Sequence, residues 1–287
     1  MPKTVARFSH LNLQLVEPAA LLRPFIKHYW FIATDGAEAH TEYLPSDTGC
    51  GLLFNLSGSL MLGSEDSTTQ ANQLAPPIVL SGPHTRFLPV TTGPYCDAAG
   101  IRFQPGMAYP FFQTTLAEFV TPTAAPEALC KRLHLTQVLD QLVAIKDVTA
   151  RSEFLNHWLL DQLQKALNVN PELPHALNQL EQQTLPSITS LAETTHLSQR
   201  QLERVFKEWV GISPKQYSRL LRINSARHQL KTAKSDTDLS EVALAAGYFD
   251  QAHFNRVFKS LTGQVPSDWM NEPTQSVSAP ILQDRTS

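Results

Sequence analysis

Two segments of the chain place polar side chains on one face of a predicted helix, where they could bind a polyanion. In the first segment these residues are spaced i, i+3, i+4 and i+7, and they are Arg200, Glu203, Arg204 and Lys207. In the second segment the corresponding positions hold Ala252, Asn255, Arg256 and Lys259. Residues at this spacing share one side of an α-helix. Arginine can bind guanine through two hydrogen bonds, asparagine can bind adenine, glutamate can accept from cytosine, and lysine can neutralise phosphate. The pattern predicts recognition of duplex DNA, although an ordinary solvated helix shows the same division of faces.

The two segments belong to an internal repeat. RVFKEWVGISPKQY at 204–217 and RVFKSLTGQVPSDW at 256–269 are offset by 52 residues and are identical at six of fourteen positions. At the same offset, Leu197-Ser198 is paired with Phe249-Asp250. Ser198 and Asp250 suit the N-caps of helices, Ser198-x-x-Gln201 fits a capping box, and Gly247 suits a tight turn. Each copy therefore predicts a helix, a turn and a second helix, which is the arrangement that inserts its second helix into the major groove.

A single helix is predicted to connect the copies. Ser213 can cap it and Pro214 suits its first position, and an apolar stripe then runs to Leu230. Eighteen residues would make a rod of about 27 Å, which suits two recognition helices about 34 Å, or one DNA turn, apart. Its arginines are predicted to contact phosphates, with solvated surface charge as the alternative, and they are Arg219, Arg222 and Arg227.

The rest of the chain predicts an α+β protein of two domains. Short aromatic and β-branched runs alternate with Pro, Gly and Ser up to about residue 120, which is typical of a β-sandwich or barrel. Apolar residues then follow helical spacing over 131–167, so this stripe forms a dimer interface, contacts the other domain, or is buried within its own domain. The predicted division is a β-rich domain at 1–170, a linker region at 171–185, a DNA-binding domain at 186–271 and a flexible tail at 272–287.

Composition excludes several classes of protein. No apolar run reaches the length of a membrane span and the N-terminus lacks a signal peptide, so a soluble cytoplasmic protein is expected. Three scattered cysteines, without a CxxC, predict neither a disulfide framework nor a cysteine zinc site. Residues 186–271 hold 11 basic and 8 acidic residues, whereas the remainder holds 12 and 18. The local excess of positive charge on an acidic protein favours a polyanionic partner.

The sequence lacks the motifs of common enzyme and metal sites. The chain has no GxSxG, HExxH or P-loop, so neither an enzyme nor a cofactor is predicted. His28, His40 and His84 lie near predicted strands, but no HxH or HxE spacing accompanies them, and no metal site is predicted. Arg102, in an otherwise apolar strand, could bind an anionic effector, could form an internal salt bridge, or could be a charge at the edge of a strand. A helical module that binds proteins rather than DNA is a further alternative.

Residues 186–270 resemble the AraC/XylS family of bacterial transcription regulators. The resemblance rests on SLAETTHLSQRQLERVFKEWVGISPKQYSRLLRINSARHQL and on LSEVALAAGYFDQAHFNRVFKSLTGQVPSDW. It implies seven helices, two recognition helices in successive major grooves, and control of transcription at promoters, most often activation, with RNA polymerase as a partner. The base-reading positions that it implies are Arg200, Glu203, Arg204, Gln251, Ala252, Asn255 and Arg256, with Gln199 and Gln201 flanking them. His253 is assigned to packing or to a phosphate. Ala252 departs from the polar residue that the family often has, and could contact a thymine methyl.

The N-terminal resemblance is to a divergent domain found in a subset of the same family. It rests on EYLPSDTGCGLLFNLSGS and AAGIRFQPGMAYPFF. It implies a cupin-like β-barrel that binds an unidentified small-molecule effector or forms a homodimer. A regulator resembling the Ada-type DNA-repair methyltransferases is a further alternative. Such proteins need four zinc-bound cysteines and an alkyl-accepting cysteine, which Cys50, Cys96 and Cys130 cannot supply.

Overall fold

A computed structural model describes residues 3–4, 12–36, 38–44, 46–63, 73–165, 172–181, 187–232 and 237–271. These residues form an N-terminal antiparallel sheet with helices packed on it, followed by a helical C-terminal domain. The two-domain α+β class is therefore confirmed. The predicted tail at 272–287 lies outside the described residues. In the described part of the chain, no helix combines the length and the apolar character that crossing a bilayer requires.

The N-terminal sheet is built around two long strands. Its strands are β1 (Lys3–Thr4), β2 (Gln14–Val16), β3 (Ile26–Asp35), β4 (His40–Leu44), β5 (Cys50–Leu62), β6 (Gln73–Leu74), β7 (Ile78–Ser81), β8 (Leu88–Phe103) and β9 (Thr123–Ala124). The order is β1-β2-β3-β8-β5-β7-β9, with β4 added to β8 and β6 added to β5. One edge of β8 pairs first with β4 and then with β3, while its other edge follows β5. Register shifts near Gly58, whose φ is +77°, interrupt the β5–β8 pairing as β-bulges do.

Helices cover one apolar face of this sheet. They are α1 (Tyr109–Phe112), α2 (Glu127–Leu133), α3 (Leu135–Ala144) and α4 (Val148–Lys165). The stripe predicted over 131–167 is buried in one apolar cluster with sheet residues such as Phe54 and Ile101. Arg151 of α4 also makes two 2.7 Å hydrogen bonds to the carboxylate of Asp97 in β8. Most of the stripe is therefore covered within its own domain, which favours the third of the predicted alternatives.

The C-terminal domain has seven helices among the described residues. They are α5 (Glu172–Glu181), α6 (Ile188–Thr194), α7 (Gln199–Val205), α8 (Pro214–Thr232), α9 (Leu239–Ala245), α10 (Gln251–Thr262) and α11 (Pro266–Asn271). Helix α5 corrects the prediction of a linker region at 171–185, because Leu173, Leu177 and Leu180 are buried in the core of this domain. Pro174 is tolerated because it lies in the first helical turn, where backbone N–H groups have no helical acceptor.

Candidate nucleic-acid interface

The first helix-turn-helix unit consists of α6 and α7, and its local structure follows the sequence closely. Ser198 caps α7, since its Oγ accepts from the amide of Gln201 at 3.3 Å. Gln201 returns the contact, because its Oε1 accepts from the Ser198 amide at 2.8 Å. The predicted capping box is therefore confirmed. In the turn, His196 has a φ of +53°, and the Leu197 amide donates to the carbonyl of Ala192.

The recognition helix of the first unit changes type where it meets the N-terminal domain. It continues from α7 as a π-helix over Phe206–Val210 and ends at Gly211, whose φ is +99°. Tyr109 stacks on Trp209 with ring centroids 4.4 Å apart. Tyr109 Oη also donates to Glu208 Oε1 at 2.5 Å, and this bond raises the pKa of Tyr109 to about 12, with burial adding to it. A side chain at Gly211 would lie 2.8 Å from the carbonyl oxygen of Leu116. The N-terminal domain thus holds this end of the helix.

The second unit consists of α9 and α10. Asp250 caps α10, and its Oδ1 accepts from the His253 amide at 2.6 Å. Gly247 supplies the left-handed residue of the turn, with a φ of +76°, as predicted. Helix α10 is α-helical throughout and ends at Gly263. The N-terminal domain contacts this end too, since the Ser46 amide donates to the Leu261 carbonyl at 3.2 Å.

The turns of the two units differ by one residue. Their first helices are related by an offset of 51, because the N-caps are Ser187 and Asp238. The recognition helices are related by an offset of 52. The Tyr248 amide donates to the carbonyl five residues earlier, as the Leu197 amide does, and both side chains pack on the core. The predicted pairing of Leu197 with Phe249 is therefore wrong. Leu197 corresponds to Tyr248, and Phe249 is an additional residue with no counterpart in the first unit.

The predicted DNA-binding residues lie on the open faces of the recognition helices. Those with exposed side chains are Gln199, Arg200, Gln201, Arg204, Lys207, Gln251, Ala252, His253, Arg256 and Lys259. Glu203 and Asn255 are half-buried at corresponding positions. Two of the side-chain amides already form hydrogen bonds within the protein. Gln201 accepts in the capping box, and Gln199 donates to Thr189 Oγ1 at 3.0 Å. Within the described residues, Asn255 Oδ1 is buried and has no hydrogen-bond partner. The structure thus brings both sets to the outer faces, but their roles toward DNA stay predictions.

The three arginines of α8 contact residues of the second unit and of α11 and do not form one continuous exposed surface. Arg219 Nη2 donates to Ser260 Oγ at 3.3 Å, and Arg222 Nη1 donates to the Gly247 carbonyl at 3.4 Å. Arg227 is buried, and its guanidinium carbon lies 4.9 Å from the centre of the Trp269 ring. Burial lowers the pKa of Arg227 to about 10, and the charge of Asp47 partly offsets this effect. The predicted phosphate contact of Arg227 is therefore wrong, because its side chain supports α11 inside the domain.

Arg102 is also an internal group. Its side chain is fully buried and forms an ion pair with Asp47, which confirms the salt-bridge alternative. The neighbouring cavity inside the sheet is about 70 Å³ and is lined mainly by apolar side chains, together with Arg102 and His84. Burial lowers the pKa of His84 to about 3, and the charge of Arg102 acts in the same direction. Among the described residues, no three His, Cys, Asp or Glu side chains are grouped so that they could hold a metal ion.

Several residues that form the contact between the two domains were not identified from sequence. Tyr109, Glu208 and Ser46 connect the domains, and they are separated from their partners by many residues, so spacing gives no signal for them. Phe249 could have been identified, because the offset between the copies changes from 51 to 52 at the turn.

Comparison with known proteins gives separate matches for the N-terminal and the C-terminal domain. Residues 191–272 match a family model described as "Helix-turn-helix domain", and residues 14–124 match one described as "Domain of unknown function". The chain is similar to the HTH-type transcriptional activator RhaS of Escherichia fergusonii, with 30% identity over 45% of this chain and 50% of that protein. It is also similar to the HTH-type transcriptional regulator ArgR of Pseudomonas aeruginosa, with 31% identity over 36% of this chain and 31% of that protein.

Among solved structures, ToxT from Vibrio cholerae aligns with 84% of this chain and 97% of its own, at 11% identity and a TM-score of 0.44. The chain spans half or less of the length of the two curated relatives.

Proposed function

We propose that the protein is a sequence-specific DNA-binding regulator of transcription of the AraC/XylS family, the family that its C-terminal domain resembles. In this proposal α7 and α10 enter successive segments of the major groove. Activation is the proposed mode of regulation, with RNA polymerase as a partner. The protein is proposed to act by binding and not as an enzyme.

One observation carries the proposal. Two helix-turn-helix units share one apolar core and are joined by α8, and the outer faces of both recognition helices remain open. Arg204 and Arg256 are exposed at corresponding positions of α7 and α10, and Lys207 and Lys259 follow three residues later. This basic, lysine-bearing surface favours a nucleic acid over a protein partner, because lysine is depleted in the centres of protein interfaces.

Modulation through the N-terminal domain is a second element of the proposal. The cavity inside the sheet, at about 70 Å³, is much smaller than the roughly 300 Å³ of ordinary small-molecule pockets. Arg102, beside it, is already paired with Asp47. An effector that binds there would therefore have to displace this ion pair or enlarge the cavity. Because both recognition helices contact the N-terminal domain at their C-terminal ends, such a change, or homodimerisation through that domain, could alter their relative placement.

Selection from a random-sequence duplex library with the full-length chain tests the proposal. We expect one enriched motif with two parts, because two recognition helices each read a segment of the groove. Affinity for the enriched duplex should fall with salt by about 0.9 log unit per log unit of salt for each phosphate neutralised.

A double variant, Lys207→Ala with Lys259→Ala, provides the comparison. Both side chains are exposed, so the variant should fold and show a shallower dependence on salt than the wild type. Salt-independent binding, or no enriched sequence, would identify the chain as a helical protein-interaction module instead.

A further inference from the structure

Phe249 is an exposed aromatic residue in the turn of the second unit. Its side chain is 98% exposed, more than any other large apolar side chain in the described residues. It is also the residue by which this turn exceeds that of the first unit, where Leu197 leads directly into the N-cap Ser198. The core does not account for Phe249, because Tyr248 occupies the place that packs inward and is only 7% exposed.

The position of Phe249 is at the end of the recognition helix that faces DNA. It directly precedes Asp250, the N-cap of α10, and the first helical residues, Gln251 and Ala252, are also exposed. Helix-turn-helix proteins direct the N-terminal residues of the recognition helix at the base edges. A side chain one residue before the N-cap of α10 therefore lies where the second unit meets the groove.

The chemistry of this position restricts what it can read. A phenylalanine ring offers no hydrogen bond, and its partner on a base edge is the C5-methyl group of thymine. Ala252 has the same preference, and the amide of Asn255, which is half-buried on the same helix, is the type of group that pairs with the two hydrogen-bonding groups of adenine. These three residues together match A·T base pairs. The first unit differs, because Arg200 and Glu203 stand in place of Ala252 and Asn255.

We propose that Phe249 is a sequence-reading residue whose ring contacts the methyl group of a thymine beside the N-terminal end of α10. This inference rests on the proposed function and specifies what the second unit reads. Exposure of the ring in the free protein and its burial on DNA provide the driving force, since burying apolar surface is favourable.

Thymine-to-uracil replacement tests the contact one methyl group at a time. The probe is the duplex enriched by the wild-type full-length chain, with each thymine of the second half-site replaced in turn by uracil. At one thymine, uracil should weaken wild-type binding about fourfold, the effect of one buried methyl group. Phe249→Ala should weaken binding to the thymine duplex about tenfold and should no longer distinguish thymine from uracil at that position. Leu244→Ala is the matched control, because Leu244 is 72% exposed on α9 and should leave both affinities unchanged.

The outcomes separate this inference from the proposed function. If the wild type enriches no duplex, the proposed function fails. If wild-type binding is normal but Phe249→Ala retains full affinity and the same uracil response, the inference is wrong and the proposed function stands. If the variant keeps its affinity but loses activation of a reporter promoter, Phe249 contacts a protein partner such as RNA polymerase, and the inference is again overturned.

Discussion

The two helix-turn-helix units share a sequence motif but are stabilised differently. In the first, α7 passes into a π-helix where Glu208 and Trp209 contact Tyr109. In the second, α10 stays α-helical to Gly263 and receives one backbone hydrogen bond, from Ser46 to Leu261. The first turn is short and packed, whereas the second carries an exposed phenylalanine.

This difference shows which parts of the repeat carry information. Most of the residues that are identical in the two copies are structural, since Val205, Phe206, Val257 and Phe258 are buried in the core. Some of the positions that differ are buried, such as Trp209 against Leu261, and others lie on the open faces and in the turn, such as Arg200 against Ala252. A side chain that packs in a core is restricted by its neighbours, whereas one on an open face is free to change with the DNA that it meets. The two units are therefore expected to read different sequences on equivalent frameworks.

Removing the buried carboxylate of Asp47 should affect the second unit most. Asp47→Ala removes the ion pair of the buried Arg102 side chain, which is expected to cost about 3–5 kcal/mol of unfolding free energy. The measurement is urea unfolding of the full-length chain. Glu17→Ala is the control, because Glu17 pairs with Arg23 at the surface, is 65% exposed, and should change stability by less than about 1 kcal/mol.

The same variant distinguishes the two units. Ser46 precedes Asp47 and bonds to Leu261, so amide hydrogen exchange should accelerate in α10 more than in α7. Equal acceleration in both helices would contradict separate contacts of the two units with the N-terminal domain.

Acidification provides a second way to loosen this side of the interface, because the His84 carbonyl accepts from the Asp47 amide at 3.0 Å. The folded-state pKa of His84 is about 3 and the unfolded value about 6.5, so the unfolded chain binds the proton first. The contribution of neutral His84 to the free energy of unfolding is therefore present above pH 6.5 and is lost as the pH falls toward 3. Between pH 7.5 and pH 5 the loss should be about 2 kcal/mol. His84→Asn should remove this slope, measured by urea unfolding at both pH values; an unchanged slope would mean that His84 is not the titrating group.

A smaller effect is expected on the side of the first unit. Tyr109→Phe removes the hydroxyl that donates to Glu208 but keeps the ring that stacks on Trp209. The free energy of unfolding should fall by about 1–2 kcal/mol, which is typical of a hydrogen bond to a charged group that is partly exposed. Hydrogen exchange should now accelerate in 206–210 and not in α10. Tyr95→Phe is the control, since Tyr95 is largely exposed on β8, far along the sequence from either unit.

Local features of both units were predictable from sequence, and contacts between distant segments were not. The capping box at Ser198, the turn at Gly247 and the start of α8 at Pro214 depend on neighbouring residues, and all three are confirmed. The contact of the π-helix with Tyr109 joins residues 99 positions apart, and the ion pair of Arg102 with Asp47 joins residues 55 positions apart. Arg227 was expected at the surface because charged side chains are usually exposed. Its guanidinium instead stacks on the ring of Trp269 inside the domain.

The central claim is that each unit reads its own segment of one DNA site. Arg204 and Arg256 are exposed at the same position of the two recognition helices, so Arg204→Ala and Arg256→Ala form a matched pair. Selection from the same random duplex library with each variant, alongside the wild type, tests the claim most directly. Each variant should bind the wild-type duplex more weakly by about 1–3 kcal/mol and should lose base preference in one part of the motif only.

The two affected parts should lie about 10 base pairs apart, one turn of DNA, as expected for recognition helices in successive major grooves. Loss of preference at the same base pairs in both variants, or full retention of preference in either one, would contradict the assignment of one recognition helix to each segment.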